Sequence, residues 1–405
     1  MIRFNLEEFI SQHVTKRDES LLKADLEKFN KQLSERLTDK NVLVIGGAGT
    51  IGSWYIKALL KFKVAKLIVV DINENGLTEL VRDLRSSTQY HIPNDFITYP
   101  VNFADPVFEK ILKHHGPFQI VANFAAHKHV RSEKDIFSIE AMVENNVLRA
   151  QRLIELISKS NVEHFFCVST DKAANPVNIM GASKKLMEEL IMAYSKTIPI
   201  TTARFANVAF SNGSLPLGFL ERLAKKQPWS CPKNIRRFFV SPQESGELCL
   251  IASILGSSGD IFFPKLDPET DMIPFDEIAI DLLKTLGYTA DICKTENEAR
   301  EKALLLNENS KSYPIYFFES DTSGEKPFEE FYTEKEELDT DTFHALGIVK
   351  NSKKRSVEEI NKIIKSLRAV FDKPSSDKSE IVAALKSYLP NFDHIETGKG
   401  LDSKM

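Results

Sequence analysis

Cysteine is scarce in this chain. Cys167, Cys231, Cys249 and Cys293 are the only four in 405 residues, and no two stand at metal-ligand spacing. That excludes a zinc-ribbon architecture and a disulfide framework. The four are expected as buried thiols in a reducing cytoplasm. Surplus charge is missing as well: 53 Lys+Arg against 57 Asp+Glu give a formal net charge of −4. This balance makes no electrostatic case for a nucleic-acid partner or an anionic membrane surface. No apolar run approaches the roughly 20 residues of a membrane helix, so no span is expected. The opening Met1-Ile2-Arg3-Phe4-Asn5 lacks the apolar core of a secretory leader, and none is expected. Internal repeats and low-complexity tracts are absent too.

The length suits one large α/β domain or two smaller ones. Residues 1–39 read as a charged helical arm, with Leu21, Leu22, Leu26, Phe29 and Leu33 at helical spacing. Its apolar stripe is expected to pack on the main domain or on a neighbouring subunit. From residue 40 to 210, short β-branched runs alternate with amphipathic helices. The runs cover 42–45, 67–70, 96–101, 120–124, 165–168 and 201–205. This alternation predicts an α/β, doubly wound parallel sheet of Rossmann type, covered on both faces. After residue 210 the periodicity weakens. Residues 211–350 read mainly as a smaller substrate-binding lobe, with short strands at 261–263 and 315–318 and a charged helical insertion within 291–312. Residues 351–405 read as a helical tail, interrupted near Pro374-Ser375-Ser376 and ending in a polar segment.

The first predicted strand runs into Gly46-Gly47-Ala48-Gly49-Thr50-Ile51-Gly52, and a helix follows. Glycines at 46, 49 and 52 suit a tight turn, an approach of backbone to pyrophosphate, and close packing of helix on strand. Thr50 and Ile51 open a helix whose free N–H groups and positive dipole end favour phosphates. A glycine motif alone is weak; its place between strand and helix strengthens it. The next strand ends at Asp71, roughly 20 residues on, where a carboxylate binds ribose hydroxyls and repels a 2′-phosphate. NAD is therefore expected rather than NADP. The plainer role for Asp71 is a cap on the following helix. Asn102 is a candidate adenine contact. Ala125 and Ala126, after the fourth strand, are small enough for a cofactor to cross the sheet there.

The fifth strand ends at Ser169-Thr170, which sets Asp171 and Lys172 at the carboxyl edge of the sheet, where open α/β sheets bind ligands. A solvated turn pair is the plain alternative. Lys184 lies one helical turn beyond Met180, on the same helix face. With tyrosine in place of Met180, that pair would be the dyad of short-chain dehydrogenases/reductases.

Here the chain resembles the nucleotide-sugar 4,6-dehydratases of the extended short-chain dehydrogenase/reductase superfamily, and most of all the polysaccharide-biosynthesis group acting on UDP-N-acetylglucosamine. The resemblance rests on the glycine loop, Ala125-Ala126-His127-Lys128-His129-Val130, Asn146-Val147-Leu148, and Val168 through Pro176. It continues through Arg204-Phe205-Ala206-Asn207-Val208, Arg236-Arg237-Phe238-Phe239, and Gly324 through Glu330. It implies NAD as a resident cofactor, a UDP-sugar substrate and a homo-oligomer. It implies that Lys172 removes the proton on sugar carbon five and that Asp171 protonates the departing hydroxyl of carbon six. Thr170 and Lys184 complete the catalytic set, and Lys184 also binds the nicotinamide ribose. Asn207, Ser211 and Arg237 are implied substrate contacts around the diphosphate. Lys128 and His129 are implied near the sugar, although a solvated loop is an even alternative. The Gly324–Glu330 stretch is implied to be structural or part of the substrate lobe, not catalytic.

The departures matter. Met180 has no useful basicity, so Thr170, Lys172 or a water must assist the first oxidation. In the family, methionine here accompanies retention at carbon five and tyrosine inversion. Gly213-Ser214 keeps the family's substrate loop, but Ala206, Ala209, Phe210 and the stretch 229–235 differ, which leaves the sugar open. Two alternatives stand beside the dehydratase. A nucleotide-sugar 4-epimerase needs the redox step but no acid for carbon six. A NAD-binding protein without catalysis would leave Asp171, Lys172 and Lys184 unexplained.

Overall fold

Runs such as Val42-Leu43-Val44-Ile45 are buried on both strand faces, which suits the interior of a parallel sheet with helices on either side. The computed structural model describes residues 4–396 apart from 320–323, 325, 327, 353 and 374–376. The expected break at Pro374-Ser375-Ser376 and the polar end after residue 396 lie outside the described residues.

Six strands follow the predicted runs closely: β1 (Asn41–Ile45), β2 (Lys66–Asp71), β3 (Asp95–Pro100), β4 (Ile120–Asn123), β5 (His164–Val168) and β6 (Ile200–Ala203). Nine more are β7 (Asn207–Val208), β8 (Trp229–Pro232), β9 (Arg236–Val240), β10 (Ile261–Pro264), β11 (Met272–Pro274), β12 (Thr289–Cys293), β13 (Ser312–Phe318), β14 (Glu337–Asp339) and β15 (Leu346–Lys350). The main sheet runs β14-β15-β10-β6-β5-β4-β1-β2-β3. From β10 to β3 its neighbours are parallel; β15 and β14 close the other edge antiparallel. This is a Rossmann-type doubly wound sheet. Its strand order reverses between β1 and β4, where Ile45 lies opposite Asn123, and the crevice for a ligand opens there.

The 211–350 segment is not wholly a separate lobe. β10, β14 and β15 join the main sheet, and the helix Pro242–Leu255 packs on the helix Thr50–Leu59. Two three-stranded sheets, β11-β9-β7 and β12-β13-β8, make the lobe proper. Its own core holds Phe219, Trp229, Phe239, Leu282, Tyr313 and Ile315. The charged 291–312 stretch is only partly helical: Glu296–Ala303 forms a short helix between the parallel strands β12 and β13.

The N-terminal arm spans both cores of its own chain. Phe9, Ile10 and Val14 enter the lobe core, while Leu22, Leu33 and Leu37 enter the main one. Arg17 donates through two nitrogens to Glu244 (3.0 and 2.9 Å), and the fully buried Asp25 accepts from the His344 and Ala345 amides (2.6 and 2.8 Å). The tail helices Val357–Phe371 and Lys378–Tyr388 bury Ile360, Ile363, Leu367, Ile381 and Leu385 in the main core. Beyond them the chain runs back over the segment that follows β5. Asp393 N–H donates to Pro176 O (3.1 Å), Ile395 N–H to Val177 O (2.9 Å), and Gly324 N–H to Ile395 O (2.9 Å).

Candidate active site

The glycine loop is built by the absence of side chains. Gly46 has φ +78°, and a Cβ there would sit 2.5 Å from the Ala125 nitrogen, so the β1 turn presses directly on the chain leaving β4. A Cβ on Gly52 would lie 2.3 Å from Gly46 O, which fixes how closely the helix approaches the loop. Gly49 differs: its nearest neighbour would be Gly46 O at 3.5 Å, so the space above it is open. That openness at a helix N-terminus fits a pyrophosphate. Ile51 stands in the first turn of the same helix.

Asp71 ends β2 facing the loop. Its Oδ2 accepts from Ala48 N–H and its Oδ1 from Asn73 N–H, both at 2.9 Å. It does not cap the next helix; Asn73 does, accepting from Gly76 N–H at 2.9 Å. Thr50, expected only on the cofactor, also accepts from Asn212 N–H (3.0 Å) and so ties the glycine loop to the loop holding Ser211. Asn102 lies beyond the end of β3, where its Oδ1 accepts from Ala104 N–H (3.0 Å). Ala125 N–H donates to Asn123 Oδ1 (3.1 Å), and Ala126 follows at the switch point.

The Thr170-Asp171-Lys172 turn carries the densest chemistry. Asp171 is 3% exposed, and its Oδ1 accepts from Thr170 Oγ1 (2.7 Å), Lys172 N–H (2.9 Å) and Lys172 Nζ (3.1 Å). Lys172 Nζ also lies 3.5 Å from Glu329 Oε1. Burial disfavours the Lys172 ammonium, yet Asp171 and Glu329 outweigh it and raise its pKa, with Arg237 opposing. Burial raises the Glu329 carboxyl above its ordinary value, against the pull of Lys172. The sequence reading did not place Glu329 in this cluster.

Met180 stands at the start of the helix Ile179–Ala193, 2% exposed, and its N–H donates to Glu133 Oε1 (2.9 Å). The same Glu133 has His394 of the tail at 3.6 Å. A Cβ on Gly181 would meet Lys172 O at 2.5 Å, so glycine there lets the helix rest on the Thr170-Asp171-Lys172 turn. One turn on, Lys184 Nζ donates to Val168 O at the end of β5 (2.6 Å), and burial lowers its pKa. Asn146 clamps the neighbourhood: it accepts from His127 N–H (2.9 Å) and donates to His127 O (2.9 Å) and Ser183 Oγ (3.0 Å).

Lys128 and His129 lie on an exposed loop leaving β4, yet protein around them lowers both pKa values by desolvation. The His129 ring covers Gly213, whose missing Cβ would lie 2.9 Å from it. Arg237 is buried on β9, close enough to Lys172 and Glu329 to influence both. On the paired strand β7, Asn207 Nδ2 is buried with no hydrogen-bond partner among the described residues. A buried orphan donor is costly and fits a polar ligand. Ser211 is buried in the following loop. Glu325 and Pro327 lie outside the described residues. Among the described residues, no group of three His, Cys, Asp or Glu is placed to hold a metal ion.

With this geometry, a match runs over residues 42–351 to the family described as polysaccharide biosynthesis protein. The chain belongs to that family. Its relatives include an uncharacterized membrane protein of Methanocaldococcus jannaschii, 34% identical over 64% of this chain and 76% of that one. A probable polysaccharide biosynthesis protein of Bacillus subtilis is 29% identical over 64% of this chain but only 43% of its own length. An inverting UDP-N-acetylglucosamine 4,6-dehydratase of Campylobacter jejuni is 27% identical over 56% of this chain and 67% of the enzyme. UDP-glucose 4-epimerases also match. Among solved structures, Pen from Bacillus thuringiensis shares the fold at TM-score 0.61 and 22% identity, over 81% of this chain and 98% of that one. The dTDP-glucose 4,6-dehydratase of Bacillus anthracis, solved with NAD, shares it at TM-score 0.52 and 17% identity, over 73% and 88%. Among the described residues, no helix is long and apolar enough to cross a membrane.

Proposed function

We propose that this chain is a NAD-dependent nucleotide-sugar 4,6-dehydratase of surface-glycan synthesis. It would convert UDP-N-acetylglucosamine to the UDP-4-keto-6-deoxy-N-acetylhexosamine with retention at carbon five. The observation that carries the reading is the ion pair of buried Asp171 with half-buried Lys172 just past the carboxyl end of β5, where Lys184 donates to Val168 O. The open Gly49 cradle and Asp71 suit NAD, the acid disfavouring a 2′-phosphate. When bound, NAD supplies reversible hydride removal and return at the sugar.

The chain's own part is proton traffic and orientation. With carbon four at the ketone level, Lys172 as the amine takes the carbon-five proton. Asp171, protonated, gives its proton to the hydroxyl leaving carbon six. Lys184, fixed by Val168 O, orients toward the nicotinamide ribose. Arg237 and the unpaired Asn207 amide suit the diphosphate, with Ser211 beside them and Lys128 and His129 nearer the sugar. Met180 cannot serve as a base, which leaves Thr170 or a water to assist the first oxidation. The free, buried cysteines suit a reducing compartment such as the cytoplasm.

The test is incubation with UDP-N-acetylglucosamine in deuterated water without added reductant, followed by mass spectrometry and NMR. Loss of one water with deuterium at carbon five is the expected outcome. A carbon-four epimer with no loss of water would replace the reading by a 4-epimerase. If every nucleotide sugar tried came back unchanged, a NAD binder without catalysis would take its place.

A further inference from the structure

The Asp171–Lys172 pair has a difficulty that the resemblance leaves unaddressed. Lys172 can abstract a proton only as the neutral amine, yet its Nζ sits between two carboxylates, 3.1 Å from Asp171 and 3.5 Å from Glu329. Both carboxylates favour the ammonium. Asp171 accepts from three donors through one oxygen and is committed to the carbon-six hydroxyl. Glu329 is the other buried carboxylate, 4% exposed, and it reaches Lys172 from a distant part of the chain.

We propose that Glu329 is a positioning residue that sets the protonation state of Lys172 by holding its proton. This rests on the dehydratase reading above. The step is a balanced exchange: the Lys172 ammonium gives one proton to the Glu329 carboxylate, leaving an amine and a neutral carboxyl. A separation of 3.5 Å is one small side-chain rotation from a hydrogen bond. The Lys172 amine is then free to take the carbon-five proton and become an ammonium again.

Two further observations fit. Burial disfavours charge on Glu329, and the nearby Asp171 disfavours it further, so a neutral carboxyl is within reach. Glu329 also lines a cavity of about 970 Å³ with Asn175, Phe331 and Tyr332, whose walls include neither Asp171 nor Lys172. A proton held on Glu329 therefore has a second space to leave by.

The test reads Lys172 directly in the substrate-free protein. Trace acetic anhydride labels amines but not ammoniums, so labelling of Lys172 followed by mass spectrometry across pH gives its midpoint. In Glu329→Gln the midpoint is expected to fall, because a carboxylate that holds the ammonium is gone. In turnover assays the acidic limb of kcat/KM is expected to move to lower pH in the same direction. Glu329→Asp, which keeps the charge, should fall between the two and serves if the glutamine variant does not fold. An unmoved labelling midpoint and unmoved pH profile in both variants would reduce Glu329 to a structural role, whatever happened to the rate. If the wild type turned over no nucleotide sugar, the dehydratase reading would fail, while a shifted labelling midpoint would still show that Glu329 controls Lys172.

Discussion

Lys172 is a cation held in a buried place by the two anions beside it, and its behaviour depends on single atoms. Replacing it by alanine removes the proposed base and leaves the glycine loop untouched. Turnover is expected to fall by about 10²- to 10⁴-fold with NAD affinity unchanged, measured by product formation and by NAD titration. Asp71 makes the opposite case. Asp71→Asn keeps a side chain able to accept from Ala48 N–H but removes the charge facing a 2′-phosphate. The preference for NAD over NADP is expected to narrow about tenfold or more, read from competitive binding. Both positions could be singled out in the sequence, Lys172 just after the fifth strand and Asp71 at the end of the second, roughly 20 residues beyond the glycine loop. Glu329 was not. Its meeting with Lys172 depends on the path of the whole lobe, and its own stretch reads as a charged turn. The unpaired Asn207 amide was equally invisible, since a family position says nothing about hydrogen bonds left unmade.

Among the elements, a buried ionic knot joins β5, β6, the helix Ile179–Ala193 and the loop before β14. Arg204 is fully buried, forks onto Glu188 (3.0 and 3.0 Å) and Glu336 (2.9 and 2.8 Å), and donates to Phe331 O; Ser169 donates to Glu188 (2.7 Å). Arg204→Met leaves two carboxylates facing a thioether. A loss of about 3–5 kcal/mol is expected in denaturant unfolding. Burial would raise the Glu188 carboxyl, but Arg204 overrides it and holds the group down at about 2, from 4.5. A depressed carboxylate stabilises the fold above its unfolded pKa and ceases to as pH falls through the folded one. About 3 kcal/mol should therefore disappear between pH about 4.5 and 2, and Arg204→Met should flatten that part of the stability profile. Gly181→Ala presses a methyl on Lys172 O and is expected to cost about 1–3 kcal/mol together with activity, seen in the melting temperature and kcat. Strands β1 to β6 were legible, since their β-branched runs alternate with amphipathic helices. In the lobe only β13 was legible, as the run 315–318; its other strands, two to five residues long, were not, because runs so short carry too little periodicity.

For the molecule as a whole, the two extensions act as ties. The arm spans both cores, and the tail buries its apolar stripe on its own chain. Deleting residues 391–405 removes the segment hydrogen-bonded to Pro176 and Val177 but spares the tail helices. Activity is expected to fall more than tenfold while the melting temperature moves by only a few degrees, measured in parallel on the two proteins. The helical character of arm and tail was legible in their spacing. Where they dock was not, since an amphipathic stripe shows that a face must be covered and not what covers it.

The segment laid on Pro176 and Val177 also sets an order of events during synthesis. The glycine loop near residue 46 leaves the ribosome before β2 to β15, and β1 can pair with β2 and β4 as soon as those emerge. The segment that closes over Pro176, Val177 and Glu133 emerges only after all of these and both tail helices. On the proposed reading, a partly made chain captures NAD long before the wall beside the sugar is finished, and a ribosome stalled short of residue 395 would hold a protein charged with cofactor and unable to use it.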